Sequence, residues 1–149
     1  MSARTPIPRH ALIASGDFGE HLPAAAVAEA IAQGLRAAGM AEPDLCPLPA
    51  AQAGERTREL LDSLDFDTRM RAARAVIVAD EHLRERTLAG SATFEIATRA
   101  RQAGVPAYAL TARNELDSFD ARILDLQTVS EAGSARTLTA AARELAGLL

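Results

Sequence analysis

Two short apolar runs, Ala11-Leu12-Ile13-Ala14-Ser15 and Ala75-Val76-Ile77-Val78-Ala79, constrain the fold more than any other feature of this chain. Each is strand-sized, and each stops abruptly, the first at Gly16 and the second at the acidic pair Asp80-Glu81. They read as buried strands, the second at the centre of a sheet. Between and after them the pattern turns helical. Pro23 stands near a helix start. From Ala24 to Ala38, Val27, Ile31 and Leu35 recur every four residues, and Gly39 supplies the stop. Further helical patterns cover Arg56 to Leu64, Asp67 to Ala73, Ala92 to Ala103 (closed by Gly104) and Ala135 to Leu149. Asp44-Leu45-Cys46-Pro47-Leu48-Pro49 allows only a short strand near a sheet edge, because proline cannot donate to a ladder. Val105 to Leu110 and Arg122 to Val129 complete the expected strands.

Strands that alternate with helices predict βαβ units and a mostly parallel sheet. The expected fold class is a single three-layer α/β/α sandwich, Rossmann-like or flavodoxin-like. It should span residues 11–149 behind a polar tail at residues 1–10 that lacks a secretory apolar segment. The length, 149 residues, suits one domain with a real core. With 48% apolar but only 3% aromatic residues, that core must be built from Ala, Val, Leu and Ile.

All 16 basic residues are arginine, so lysine-based Schiff-base or P-loop chemistry is excluded. A formal charge of −4 without a basic patch or stacking aromatics argues against nucleic acid as a partner. No apolar stretch approaches the roughly 20 residues that span a bilayer. The single cysteine, Cys46, cannot form an internal disulfide and suits a reducing cytoplasm.

In parallel α/β sheets, ligands bind outside the carboxyl ends of the strands. That rule nominates three loops: Gly16 to His21, Asp80 to Ser91, and Thr111 to Asp117. The candidate ligand-binding residues there are Gly16, Asp17, Asp80, Glu81, Arg84, Thr87, Gly90 and Ser91. The stretch Thr87-Leu88-Ala89-Gly90-Ser91-Ala92-Thr93 could present backbone N–H groups to an anion, with Arg84 or Arg86 as a clamp. The plainer reading is a helix cap, in which Ser91 or Thr93 accepts an amide hydrogen bond with Glu95 in the first turn. Asp17, Glu20, His21, Asp80, Glu81 and His82 could converge on Zn²⁺ or Mn²⁺, with Asp17, His21, Asp80 and His82 as weak metal candidates. The plainer alternative is a solvated acidic rim. Asp17-Phe18-Gly19 spells a kinase metal triplet, but the surrounding kinase motifs are missing, so it reads as a turn with Phe18 in the core. Cys46 reads as a small apolar packing group, and Arg36, Arg69, Arg71 and Arg74 as wet helix faces.

In order and spacing, these segments resemble the glycerate kinase family of bacterial two-domain enzymes. Ile13-Ala14-Ser15-Gly16-Asp17-Phe18-Gly19 stands where the family has Ile-Ala-Pro-Asp-Ser-Phe-Lys. Phe66-Asp67-Thr68-Arg69-Met70 is similar to its Phe-Asp-Glu-Arg-Leu. Arg74 to Ser91 is similar to its strand leading through Gly-Glu-Gly-Arg-Leu-Asp-Glu-Gln-Thr-Leu-Ala-Gly-Lys. The family's large second domain has no counterpart, since only eight residues separate Thr57 from Phe66. Its charged groups are replaced as well, by Gly16, Gly19, Gln52, Arg84 and Ser91. Phosphoryl transfer depends on positioned cations and carboxylates that act as a unit. The resemblance therefore implies a non-catalytic module without a cofactor, binding a small organic acid or phosphate-containing ligand, or assembling as a homodimer or with a partner protein near Gly54 and the strand ends. The alternative is a glycerate kinase using ATP and magnesium, alone or completed by a separate chain. A weaker alternative is a metal-dependent hydrolase or sugar-acid binder.

Overall fold

The computed structural model describes residues 10–49, 55–84 and 91–149. Five strands form one sheet: β1 (Ala11–Ser15), β2 (Asp44–Pro47), β3 (Ala75–Leu83), β4 (Ala107–Asn114) and β5 (Leu126–Glu131). All pairings are parallel, and the order across the sheet is β2-β1-β3-β4-β5. This is the flavodoxin-like order, whose direction reverses between β1 and β3. The helices are α1 (Ala24–Ala37), α2 (Glu55–Ser63), α3 (Phe66–Arg71), α4 (Ala92–Ala103), α5 (Ser118–Leu124) and α6 (Ala135–Leu145), followed by a 3₁₀ turn at Ala146–Leu148. The expected α/β/α sandwich is the observed fold.

Alternation along the strands builds two cores. Ala11, Ile13, Ala75, Ile77, Tyr108 and Leu110 face α1 and α6. Leu12, Ala14, Val76, Val78 and Ala107 face Leu61, Phe66, Met70, Ile96 and Ala100 on α2, α3 and α4. Every residue of β1 is buried, as its unbroken apolar run requires. On the first face, α1 and α6 cross at Gly34, where a Cβ would collide with the Thr139 carbonyl oxygen and lie 2.8 Å from the Ala142 Cβ. Thr139 Oγ1 donates to the Ala30 carbonyl (2.7 Å) across the same crossing. Only a glycine lets the two backbones come this near.

The short strand β2 is an edge, as its prolines imply. Arg69 holds it in place. Its guanidinium donates to both oxygens of Asp44 (2.9 and 2.7 Å) and to the Leu45 carbonyl (2.9 Å), and it lies 3.6 Å from Cys46 Sγ. The reading of Arg69 as a wet helix face is therefore wrong. Periodicity assigned it outward, but the edge strand lies alongside α3 and offers it a carboxylate. Burial pushes the Cys46 thiol up despite the nearby Arg69, so Cys46 packs as a small apolar group.

Four boundaries differ from expectation. The strand expected to end at Ala79 continues to Leu83, and β4 runs on to Asn114, so much of two nominated loops is ladder. Asp80↔Thr111, His82↔Arg113 and Leu83↔Asn114 pair in register, and buried Leu83 anchors the extension. The strand expected over Arg122 to Val129 begins only at Leu126, because residues 118–124 form α5. Asp117 caps that helix by accepting from the Asp120 amide (2.8 Å), and Asp125 in a left-handed conformation ends it. The last helix ends at Leu145 rather than Leu149.

Candidate functional site

The carboxyl ends of β1 and β3 flank the point where strand order reverses. There Gly16 N donates to the Ala79 carbonyl (2.9 Å), closing the end of β1 onto β3. Ser15, fully buried, donates its hydroxyl to the Ala24 carbonyl (2.8 Å), fixing the entry to α1. Asp17 is exposed and accepts from the Gly19 amide (3.2 Å), with Gly19 at φ +83°. This is a glycine turn, and Phe18 packs into the core beneath it, as expected.

The acidic pair does not act as one group. Successive side chains of a strand point to opposite faces, so extending β3 through residues 80–83 separates neighbours. Glu81 is exposed on the α1 side, where its Oε2 lies 3.7 Å from the place a Gly19 Cβ would occupy. Asp80 turns to the α4 side. Its Oδ2 accepts from Thr93 Oγ1 (2.7 Å) and its Oδ1 from the His82 amide (3.3 Å). Thr93 lies in the first turn of α4, so the carboxylate at the amino end of that helix is the protein's own. Ser91 is the N-cap and accepts from the Phe94 amide (3.1 Å), which matches the plainer of the two readings of this stretch.

His82 follows Asp80 on the same face. Its Nε2 stands 2.9 Å from a Glu115 carboxylate oxygen. Arg113 Nε pairs with the other Glu115 oxygen (3.0 Å). His82 beside it, with Arg113 and Arg84 adding positive charge, holds the Glu115 carboxyl below its ordinary value. Glu20 and His21 are exposed in the turn after β1. Among the described residues, no three His, Cys, Asp or Glu side chains gather closely enough to hold a metal ion. Of the four weak metal candidates, Asp80 and His82 share one face of β3 and engage Thr93 and Glu115, while Asp17 and His21 lie in the exposed turn after β1. Arg84 is half-buried at the end of β3, while Thr87, Gly90, Arg86, Gln52 and Gly54 lie outside the described residues, as do residues 1–9 of the tail.

Sequence reasoning missed Ser15, named Thr93 only as a possible cap, and did not single out Thr111 and Glu115 within a nominated loop. Thr111 is fully buried and donates to the Glu81 or Arg113 carbonyl (3.1 Å each) while accepting from Arg113 N (3.3 Å). A threonine at the end of an apolar run, directly across the ladder from Asp80, was the available signal.

No family model matches this chain, and no curated protein does. Among solved structures it is similar to a de novo designed Rossmann 2x3 fold protein, at 14% identity over 94% of this chain and 90% of that one, with a TM-score of 0.55. It is also similar to a pilus assembly-related protein from Burkholderia pseudomallei K96243, at 15% identity over 99% of this chain and 96% of that one, with a TM-score of 0.55. The chain has a Rossmann-like fold. Identities this low carry the architecture alone, and a designed protein has no evolved activity to pass on. Among the described residues, no helix is long and apolar enough to cross a membrane.

Proposed function

We propose that this chain is a non-catalytic Rossmann-like module, of the glycerate-kinase-like type suggested by its segment order, that works by binding or assembly in the cytoplasm. One observation carries the reading: the Asp80 carboxylate is tied to Thr93 at the amino end of α4 instead of facing the crevice. A phosphate approaching that helix end meets a fixed negative charge where a kinase needs cations or metal-bound carboxylates. The neighbouring hydroxyls support the same view. Ser15 and Thr111 spend their hydrogen bonds on the backbone, and neither is directed at a ligand. Asp17, Glu20 and Glu81 add exposed negative charge at the strand ends, alongside exposed His21 and Arg113.

The test is an ADP-release assay with ATP, magnesium and D-glycerate, run beside a thermal-shift screen of nucleotides, glycerate and divalent metals. We expect no turnover above background. A ligand that binds only the folded state raises the melting temperature by mass action, so any small-molecule role is visible in the screen. Steady ADP release that tracks glycerate concentration would sink the non-catalytic reading in favour of the kinase alternative.

A further inference from the structure

Helix α5 leaves an apolar face uncovered. Phe119 is 67% exposed and Ile123 46%, while Asp120 and Leu124 on the adjoining row are buried. Residues four apart are neighbours on a helix surface, so the two exposed side chains form one patch. Charge flanks it unevenly. Asp117 lies at the amino end, with Glu115 beyond it already paired with Arg113 (3.0 Å). Exposed Arg122 lies at the carboxyl end, where Arg101 of α4 donates to the Ile123 carbonyl (3.2 Å), with Asp125 as the lone acid there.

We propose that a second copy of this chain docks on this face, with the two α5 helices antiparallel about a two-fold axis. In that arrangement Phe119 of each copy meets Ile123 of the other. Each acidic amino end then faces a basic carboxyl end, so the patch is complementary to itself, as a two-fold interface requires. A parallel arrangement would set like charges side by side. The seam is helix on helix and does not join the sheets edge to edge. The β5 edge is broken by an extra residue, where Ala107↔Leu126 is followed by Ala109↔Val129, and such a bulge turns an edge away from pairing. Two exposed apolar side chains and their rim fall well short of the roughly 800 Å² per partner of a standard stable interface, so the dimer is weak and depends on concentration.

The inference rests on the assembly half of the reading above, and sedimentation equilibrium of the full chain tests it separately from the ADP-release assay. Between roughly 10 μM and 1 mM, the weight-average mass should rise from 15.7 kDa toward twice that value. Phe119→Asp and Ile123→Asp should each weaken association at least about tenfold, and Arg122→Glu severalfold, with far-UV circular dichroism unchanged. As a check independent of those substitutions, oxidising a mixture of Phe119→Cys and Ile123→Cys chains should give mixed disulfides in excess of either homodimer. A strict monomer at 1 mM, or a dimer indifferent to these changes, overturns the proposal. A monomer that is silent in the ADP-release assay leaves the non-catalytic reading standing with a different partner.

Discussion

Asp80 and Glu81 are adjacent in the chain yet serve opposite faces of the sheet, because β3 continues past the point where its apolar run ends. The hydroxyl that claims Asp80 belongs to Thr93, which is 2% exposed. Thr93→Val removes a hydrogen bond to an ionised acceptor and should lower stability by about 1–3 kcal/mol in urea unfolding, whereas Thr93→Ser should recover most of it. A Thr93→Val chain as stable as the parent would mean that Asp80 is held by something else. The sequence marked Ser91 and Thr93 as alternative caps but did not show which carboxylate lay within reach of the second hydroxyl. That depends on how far β3 runs, and its extension is set by pairing with β4, a partner more than 20 residues away.

Elements are held together by arginines whose partners come from other parts of the chain. Arg69 links α3 to β2, and Arg99 links α4 to Asp62 (2.9 Å) and Asp67 (3.2 Å). The Arg69 fork holds the Asp44 carboxyl below its ordinary value. Because the folded form binds its proton less readily than the unfolded chain, this contribution is complete above about pH 4. It fades as pH falls through the lowered folded value. We expect Asp44→Asn to reduce stability at neutral pH and to flatten the acid limb of the stability profile, as read by urea midpoints from pH 2 to 7. Periodicity found α1, α4 and α6 because their apolar rows face a core. It failed at α5, where Phe119 and Ile123 face outward and the helical signal is carried by the Asp117 cap.

At the scale of the whole molecule, strand order was legible only as a class. Alternating patterns implied a parallel sheet, and the prolines put β2 at an edge, but no local feature states that β1 lies between β2 and β3. That arrangement makes the first and last helices neighbours. Tyr108, the lone tyrosine, is buried between β4 and the chain terminus and reports on this face, its hydroxyl 3.4 Å from the Leu148 carbonyl. Since each face of the sheet is completed by segments distant in sequence, unfolding should be all-or-none. Tyr108 fluorescence and far-UV circular dichroism should trace coincident urea transitions, and separated midpoints would reveal two independently melting layers.

The Gly34 crossing carries a consequence for how the protein is made. During synthesis α1 emerges well before α6, the helix it must nest against. Until then the greasy side of β1 and β3 has only half its cover, so the nascent chain passes through a window in which it needs shelter from aggregation.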